Sequence, residues 1–420
     1  MKIAIIGTGI AGNAAAWVLN QSHDITVYEK EPRPGGHAHT VDIEIEGQTI
    51  TVDTGFIVMN HRNYPHFKKL LEHINVPTEP SDMSFSVSRD QGKFEWSSKG
   101  LKGLFASSKN LINPTFYRML FDVVKFYAIA EKDLEKGVLQ ELSLGDYLKK
   151  RNFSDAFRDN FLLPMGAAIW STPNEAMLEF PAQSFMTFFK NHGLSSTNKP
   201  KWRTVTGGSR SYVQRLTQDY ADKIKYESEV ISVAPKNNQV EVKTSDGKSA
   251  LYDHVIMACH SDQSAKLLQD TDLKSKDILA NIRYKENSVY LHSDERFMPK
   301  NKKAWTSWNY LHDQSDDTIA LTYWMNLLQN IESAKPVLVT LNPDNEPDPS
   351  LTYGTYSYTH PQFNAAAIKA QSDIQNEQGV SNIWYCGAWM KYGFHEDGLA
   401  STVSVLEKIG IAIPWASDQS

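Results

Sequence analysis

The apolar positions at the start of the chain predict a buried strand, a helix and a second strand. Lys2–Ile6 is a largely aliphatic run rich in β-branched residues, which is typical of a parallel strand covered on both faces. Asp24–Tyr28 has the same character, and residues 14–19 between the two runs have the composition of a helix. The order strand, helix, strand predicts a parallel α/β unit.

Further apolar runs predict additional strands far along the chain. Residues 252–259 and 382–386 have the pattern of buried strands. Residues 229–233 and 240–243 alternate between apolar and polar positions, as expected of two strands joined by a turn. Helical patterns lie at 101–134 and 143–151, and strand patterns lie within 285–360.

We therefore predict an α/β fold in which a Rossmann-like domain is discontinuous and carries an inserted α+β domain. The first domain is assigned to residues 1–80, 206–284 and 376–420. The inserted domain, which we expect to hold the substrate, is assigned to residues 81–205 and 285–375.

Candidate chemistry begins where the first strand ends. Gly7, Gly9 and Gly12 form a G-x-G-x-x-G pattern. The first glycine allows a tight turn, the second allows backbone to approach a pyrophosphate, and the third allows the helix to pack on the strand. At the start of the helix, Ile10 and Ala11 would offer amide groups and the positive end of the helix dipole to phosphates.

An acidic residue strengthens this interpretation. Glu29 ends the second strand, 22 residues after Gly7, which is the position at which an acid hydrogen-bonds a ribose hydroxyl. A lone glycine motif also occurs as a plain turn, but the strand, the helix and the acid together favour a dinucleotide. The carboxylate favours FAD or NAD over NADP, because it would repel a 2′-phosphate.

The segment that follows Glu29 resembles the E-x-x-x-R-x-G-G signature of flavoproteins in the amine oxidase and phytoene desaturase superfamily. The resemblance implies that this segment lies along the pyrophosphate and ribityl chain of FAD. The cofactor-binding residues expected on this basis are Lys30, Arg33, Gly35, Gly36, His37, Thr54 and Gly55. His37 stands where the superfamily usually has arginine.

The end of the chain resembles the closing FAD motif of the same superfamily. Gly387 follows a strand, and Asp397, Gly398 and Leu399 lie at the start of a helical pattern. We expect Asp397 to be the N-cap and the amides of Gly398 and Leu399 to face the pyrimidine edge of the flavin. A positive helix end there stabilises the negative charge of reduced flavin. The resemblance also places Val230 beside the adenine.

Composition narrows the range of functions. The hydrophobic fraction is 41%, the charged fraction is 22%, and the net charge of −6 argues against binding to nucleic acid. Two cysteines fit a reducing compartment, and we predict a cytoplasmic protein, with peripheral contact at the inner face of the membrane as a further expectation. No metal is predicted: His37, His39, His61 and His66 could be ligands, but the thiolate or carboxylate spacing of a metal site is missing.

His395 is the candidate catalytic residue. It falls at or beside one of the two aromatic residues that flank the flavin in amine oxidases, and an imidazole there could act as a general acid or base near neutral pH. Alternatively, it only caps the helix or hydrogen-bonds the flavin. The acid that amine oxidases carry after the strand glycine is replaced here by Ala388 and Trp389, which weighs against amine oxidation.

Nearly the whole chain resembles a bacterial family of predicted NAD/FAD-binding proteins related to flavin-dependent desaturases of methylated and furan fatty acid synthesis. Residues 53–60, 64–65, 323–326, 360–361, 370–371 and 386–399 carry this resemblance. It implies an FAD-dependent oxidoreductase that desaturates a fatty-acyl chain or a similarly apolar substrate by hydride transfer to flavin N5. An amine oxidase that produces peroxide, a flavin-dependent double-bond isomerase and a non-catalytic flavin-binding accessory protein remain open. The sequence does not give the oligomeric state.

One segment suggests contact with lipid. Residues 99–130 combine five cations with a single acid, Asp122, and many leucine and phenylalanine residues. A basic, strongly apolar helix can dock on anionic lipid. It can equally be an ordinary substrate-domain helix whose apolar side is core.

Overall fold

The computed structural model describes residues 1–170, 174–193, 200–312, 320–343 and 345–416. Five parallel strands form the first large sheet, and pieces of chain from both ends and the middle contribute to it. In spatial order, its strands are Ile224–Lys225, Asp24–Tyr28, Lys2–Ile6, His254–Met257 and Ile383–Tyr385. Because all five strands run in one direction, the loops after their carboxyl ends meet at one edge.

Both faces of this sheet are covered, which explains why its strands are apolar throughout. Ile3 and Ile5 point to one face and pack with the helices Ile10–Leu19, Pro65–His73, Arg210–Thr217 and His395–Ile409. Ala4 and Ile6 point to the opposite face. That face packs against a three-stranded antiparallel sheet of Val230–Lys236, Gln239–Thr244 and Ser249–Tyr252, and against the helices Ser261–Leu267, Lys274–Leu279 and Ala365–Asp373.

The second large sheet has seven strands and belongs to the inserted regions. In spatial order, they are Thr352–Gln362, Arg283–His292, Leu338–Leu341, Ala320–Trp324, Trp308–His312, Phe85–Arg89 and Phe94–Ser97. An aromatic-rich core joins this sheet to a group of helices. These helices are Gly100–Leu104, Pro114–Glu135, Leu144–Lys150, Asp155–Phe157, Leu163–Trp170, Asn174–Leu178 and Ala182–Asn191.

Two small sheets connect the large ones. One is the hairpin Thr40–Ile45 and Gln48–Asp53. The other places Trp202–Val205 between Val58–Asn60 and Thr78–Pro80, two strands from the first 80 residues. The described residues also form a short helix, Met325–Leu328, a π-helical turn, Arg158–Leu162, and several 3₁₀ turns. The domain boundaries themselves stay a prediction.

The helical region expected at 101–134 is interrupted. The structure has the helix Gly100–Leu104, a 3₁₀ turn at Ser108–Ile112 and then the helix Pro114–Glu135. Asn113 caps the long helix by accepting a hydrogen bond from Thr115 N at 3.0 Å, and Pro114 occupies the first helical position, where no amide is needed. The Asn-Pro pair was therefore a start signal within the pattern. Within the described residues, no helix is long and apolar enough to cross a membrane.

Candidate active site

The glycine loop at the end of the first strand shows two different steric demands. A Cβ at Gly12 would lie 1.9 Å from the carbonyl oxygen of Gly7, so only glycine lets the helix pack this closely. A Cβ at Gly9 would meet nothing within 4 Å. Gly7 itself has φ +99°, in the region that favours glycine. The space beside Gly9 is therefore open to a ligand, whereas the space beside Gly12 is filled by protein.

The helix Ile10–Leu19 begins in this loop and can bind an anion. Gly9 is its N-cap, no described side chain caps it, and its first turn carries no acid. The first internal bond runs from Asn13 N to Gly9 O at 2.9 Å. The amides of Ile10 and Ala11 therefore lie at the positive end of the helix dipole, where phosphates bind in such loops.

Glu29 lies beside the same loop. Its side chain is buried, and one carboxylate oxygen accepts hydrogen bonds from the amide and the hydroxyl of Thr8, with the amide at 3.0 Å. The other oxygen accepts a hydrogen bond from Glu31 N at 3.0 Å. The acid is thus fixed at the rim of the glycine loop, and its bond to a ribose hydroxyl stays a prediction.

The Pro-Gly segment after Glu29 packs directly on the glycine loop. Gly35 N donates to Thr8 O at 2.9 Å, and a Cβ on Gly36 would lie 3.2 Å from the Cα of Gly9. Arg33 donates to Gly36 O at 3.1 Å and to Ala38 O at 3.4 Å. The guanidinium therefore folds its own segment over the loop, and any contact with phosphate would be an additional role.

Of the remaining residues expected in this region, one lies at the surface and two pack against the segment that carries His37. Lys30 is exposed, and its closest charged partner is Glu31 at 3.8 Å. Thr54 shares a hydrogen bond with Tyr358 Oη at 2.7 Å, and a Cβ on Gly55 would lie 2.1 Å from the carbonyl oxygen of His37. Thr54 and Gly55 therefore support the His37 segment.

His37 lies among other aromatic rings. The rings of Tyr358, His360 and His260 have centroids 5.3, 5.5 and 5.7 Å from its own. Burial lowers the pKa of His37, so the imidazole is neutral, and one ring nitrogen bonds the backbone of Thr359. The other nitrogen, Nε2, is buried and has no hydrogen-bond partner among the described residues.

Val230 lies on the other side of the parallel sheet. It begins the antiparallel sheet and packs in the same apolar cluster as Ile6 and Tyr28. Its predicted contact with adenine stays a prediction.

The last helix, His395–Ile409, which we call the closing helix, brings a second helix N-terminus beside the glycine loop. We call the region between the glycine loop, the His37 segment and this helix the cleft. Gly387, with φ +154°, donates its amide to Ser401 Oγ at 2.9 Å. A Cβ on Gly398 would lie 3.1 Å from the Cγ2 of Ile10, so the closing helix and the nucleotide-loop helix are in contact. Leu399 is fully buried between them.

The expected N-cap at Asp397 is wrong. The helix begins at His395, and Phe394, with extended backbone, is its N-cap. Asp397 is the third helical residue and reaches back to accept hydrogen bonds from Phe394 N at 3.0 Å and Tyr392 N at 3.1 Å. The amide of Gly398 consequently donates to Phe394 O, so the open helix end lies earlier than predicted.

His395 is held on the first-domain side of the cleft. Its ring stacks on Phe56 with centroids 3.8 Å apart, and its Nε2 lies 2.6 Å from the hydroxyl of Tyr212. Burial lowers its pKa to about 3, so the imidazole is neutral at physiological pH. The preceding residue, Phe394, turns the other way and stacks on Phe188 of the inserted domain at 4.9 Å.

Glu396 has a structural task. Its two oxygens accept hydrogen bonds from His66 N and Phe67 N, each at 2.9 Å, which caps the helix Pro65–His73. Burial raises the pKa of Glu396 to about 7 and that of Asp397 to about 6. The two neighbouring acids therefore serve different helices and do not form a catalytic pair.

A cavity of about 360 Å³ opens beside the closing motif, between the helices Ala182–Asn191 and Ala365–Asp373. Aromatic and aliphatic side chains dominate its wall, and Lys391 is the one cation among the described lining residues. The lining residues are Phe180, Ser184, Phe363, Ile368, Gln371, Lys391 and Tyr392.

The fold and this cleft can now be compared with known proteins. Residues 10–348 match the sequence profile of the flavin-containing amine oxidoreductase family. The chain belongs to this family.

Solved structures with different chemistries share its fold. Cyclohexylamine oxidase from Brevibacterium oxydans IH-35A is 13% identical with a TM-score of 0.67, covering 97% of this chain and 99% of that chain. Reduced UDP-galactopyranose mutase is 14% identical with a TM-score of 0.68, covering 99% and 96%. A fatty acid isomerase from P. acnes that produces CLA is 14% identical with a TM-score of 0.64, covering 97% and 98%. No curated protein sequence matches the chain.

The described residues of this family member fit a bound FAD. Open space beside Gly9, an uncapped helix N-terminus and a fixed carboxylate at Glu29 are what a dinucleotide requires. The unpartnered Nε2 of His37 is a buried acceptor that a hydroxyl of the ribityl chain could satisfy. The family and the cleft together assign a flavin cofactor.

Sequence reasoning missed several residues of the cleft in this flavoprotein. Tyr212 and Phe56 fix His395, and His260, His360 and Tyr358 surround His37. Phe56 and His360 lay inside segments that carried the family resemblance, which was the available signal. Tyr212 follows the Gly207-Gly208 turn, but nothing in its own pattern indicates a contact with a residue 183 positions away.

Proposed function

We propose that the protein is an FAD-dependent oxidoreductase that desaturates a fatty-acyl chain or a similarly apolar substrate. The observation that supports this most is the wall of the cavity beside the closing motif. Phe180, Phe363 and Ile368 offer apolar surface, and Lys391 offers a cation. An acyl chain with an acidic head group matches both features.

The same wall disfavours a protonated amine. Binding an ammonium group in a partly closed site requires a carboxylate or a dedicated aromatic cage. The described lining residues include no acid, and Lys391 would repel the substrate. The fatty acid isomerase of this fold is consistent with an acyl substrate, although at 14% identity it supports only the compatibility of the fold.

The chain's own residues prepare a neutral, aromatic reaction site. Bound flavin supplies a two-electron oxidant that accepts a hydride equivalent. Burial keeps the imidazoles of His37, His260, His360 and His395 uncharged, so none of these four rings places a charge next to an apolar substrate. The aromatic core of the inserted domain excludes water from the step.

His395 has a restricted proton chemistry in this proposal. The bond to Tyr212 occupies Nε2, so only Nδ1 remains to face a substrate. His395 can accept a substrate proton at Nδ1 only in the tautomer that donates Nε2–H to the Tyr212 oxygen. A pKa of about 3 means that the resulting cation must pass a proton on promptly. We therefore infer that Tyr212 holds His395 in this tautomer, and that the accepted proton leaves Nδ1 to solvent after product release, because the Tyr212 hydroxyl is itself protonated.

The test is anaerobic bleaching of the flavin absorbance of the holoprotein. We expect phospholipid-bound or free fatty acids to bleach it and an amine panel to leave it unchanged. Bleaching by an amine, followed by peroxide release when air is admitted, would replace this proposal with amine oxidation. Bleaching by neither panel, together with full complementation by site variants, would identify a non-catalytic flavin-binding accessory protein.

Lys391 provides a sharper test of the acidic head group. In Lys391→Met, the aliphatic stem is kept and the charge is lost, so we expect KM for a free fatty acid to rise about tenfold with kcat nearly unchanged, as for a removed ion-pair contact. The uncharged methyl ester of the same fatty acid is the control, and its KM should not rise. Equal KM values for the acid in both proteins would contradict a role for Lys391.

A further inference from the structure

Exposed apolar side chains are concentrated in one segment. Of the eleven large hydrophobic residues that are exposed in the described chain, six lie between residues 101 and 124. We call them the apolar patch: Leu101, Leu111, Ile112, Tyr117, Phe121 and Val124. Ile112 is 84% exposed and Phe121 is 62% exposed, although removing either side chain from water would be favourable in free energy.

Packing inside the protein does not explain this patch. The helix Pro114–Glu135 buries Phe116, Met119 and Phe126 against the inserted domain. Its outward face carries Phe121 and Val124 at helical spacing, in addition to Tyr117. One face of the helix is therefore core, whereas Tyr117, Phe121 and Val124 on the other face stay exposed, with Arg118 over the Phe121 ring and a Tyr117 hydrogen bond to Leu111 O as local contacts.

The charges of the same segment oppose those of the whole protein. Residues 99–125 contain five cations and one acid, giving +4, whereas the chain as a whole carries −6. Lys99, Lys102 and Lys109 are exposed. Arg118 is 3.3 Å from buried Asp122, and Lys125 donates to two backbone carbonyls, so these two cations also have internal tasks.

We propose that the apolar patch docks on an anionic lipid bilayer. Its side chains enter the boundary between head groups and acyl chains, and the three exposed lysines contact lipid phosphates. The helix Ala182–Asn191 links this surface to the cleft: Phe189 packs on Phe126 at 6.2 Å, and Phe188 stacks on Phe394. The proposal does not depend on the substrate assigned above.

Cosedimentation with vesicles tests the proposal. The holoprotein should sediment at low salt with vesicles of equal parts phosphatidylcholine and phosphatidylglycerol, and much less with phosphatidylcholine alone. Each cation near an anionic surface contributes about 1 kcal/mol, so Lys99→Gln, Lys102→Gln and Lys109→Gln combined should weaken binding roughly a hundredfold. Leu111→Ser, Ile112→Ser and Phe121→Ser combined should weaken binding to both kinds of vesicle.

Matched variants in the first domain, away from the apolar patch, control for a general loss of charge or of exposed apolar surface. Lys266→Gln, Lys274→Gln and Lys408→Gln remove the same charge, and Ile231→Ser, Leu251→Ser and Val380→Ser remove exposed apolar groups. Neither set should change vesicle binding, and all variants should keep their flavin. A wild type that does not sediment, or patch variants that bind like their controls, would overturn the proposal. A dimer that the patch serine variant converts to monomer would instead assign this face to a second copy of the chain.

Discussion

Gly9 and Gly12 belong to one motif but differ in what surrounds them, and this difference can be measured. A methyl group at Gly9 meets no protein atom within 4 Å, whereas one at Gly12 would overlap the carbonyl oxygen of Gly7. We expect Gly9→Ala to fold with wild-type thermal stability as apoprotein and to lose most of its affinity for FAD. Gly12→Ala should lower apoprotein stability itself. Titration of both apoproteins with FAD, and thermal unfolding without FAD, separate the two effects. If Gly9→Ala kept its affinity for FAD, the space beside Gly9 would not be part of the FAD site.

Tyr212 and His395 form a second residue-level test. Tyr212→Phe keeps the ring but leaves Nε2 of His395 without its 2.6 Å partner, which should reduce the free energy of unfolding by about 1 kcal/mol. Flavin content should be unchanged, because neither the glycine loop nor Glu29 is altered. Denaturant unfolding of the holoprotein measures the loss, with Tyr226→Phe, at an exposed tyrosine, as the control. Equal losses in both variants would show that the bond contributes nothing.

At the scale of elements, the strands were predictable and the helix starts were less so. Lys2–Ile6 is apolar because both faces of its sheet are covered, and that pattern survives in the sequence. Asp397 was assigned as an N-cap because an acid near a helix start can occupy either the cap or the third position. The extended backbone of Phe394 decided between them, and sequence does not reveal it.

Glu396 makes the stability of the folded protein depend on pH. Burial raises its folded pKa to about 7 from an ordinary value of 4.5, so the folded state holds a proton that the unfolded state releases. This contribution to stability is therefore present below about pH 4.5 and is lost as pH rises towards about 7. We expect Glu396→Gln to flatten the stability profile in that window, as measured by denaturant unfolding across pH. A profile parallel to that of the wild type would contradict the raised pKa.

At the scale of the whole molecule, the cofactor should hold distant parts of the chain together. The cleft takes Gly9, Glu29 and His37 from the beginning of the chain and the closing helix from its end. Ligand binding stabilises the folded state by mass action, so FAD at a hundred times its Kd should add about 2.7 kcal/mol to the free energy of unfolding. Thermal unfolding with increasing FAD should show a rising midpoint in the wild type and almost none in Gly9→Ala.

The cofactor could be predicted from sequence, whereas the cavity beside the closing motif could not. The dinucleotide site depends on short motifs whose spacing is fixed by a tight turn and a helix start. The cavity instead joins Phe180 and Phe363, which lie outside the segments that carried the resemblance, to Lys391 of the closing motif. Solved structures that share this fold include an amine oxidase, a mutase and an isomerase, so the fold alone leaves the reaction open.

The most direct test of the proposed desaturation is the mass of the product from one anaerobic turnover. The holoprotein is mixed with an acyl compound that bleaches its flavin absorbance, and the product is weighed by mass spectrometry. We expect a product about two mass units lighter, one new carbon–carbon double bond and one reduced flavin for each product formed, since desaturation removes a proton and a hydride. A product of unchanged mass with a displaced double bond and oxidised flavin would show an isomerase. Recovery of the acyl compound unchanged, together with bleaching of the flavin by amines alone, would contradict desaturation of an acyl substrate.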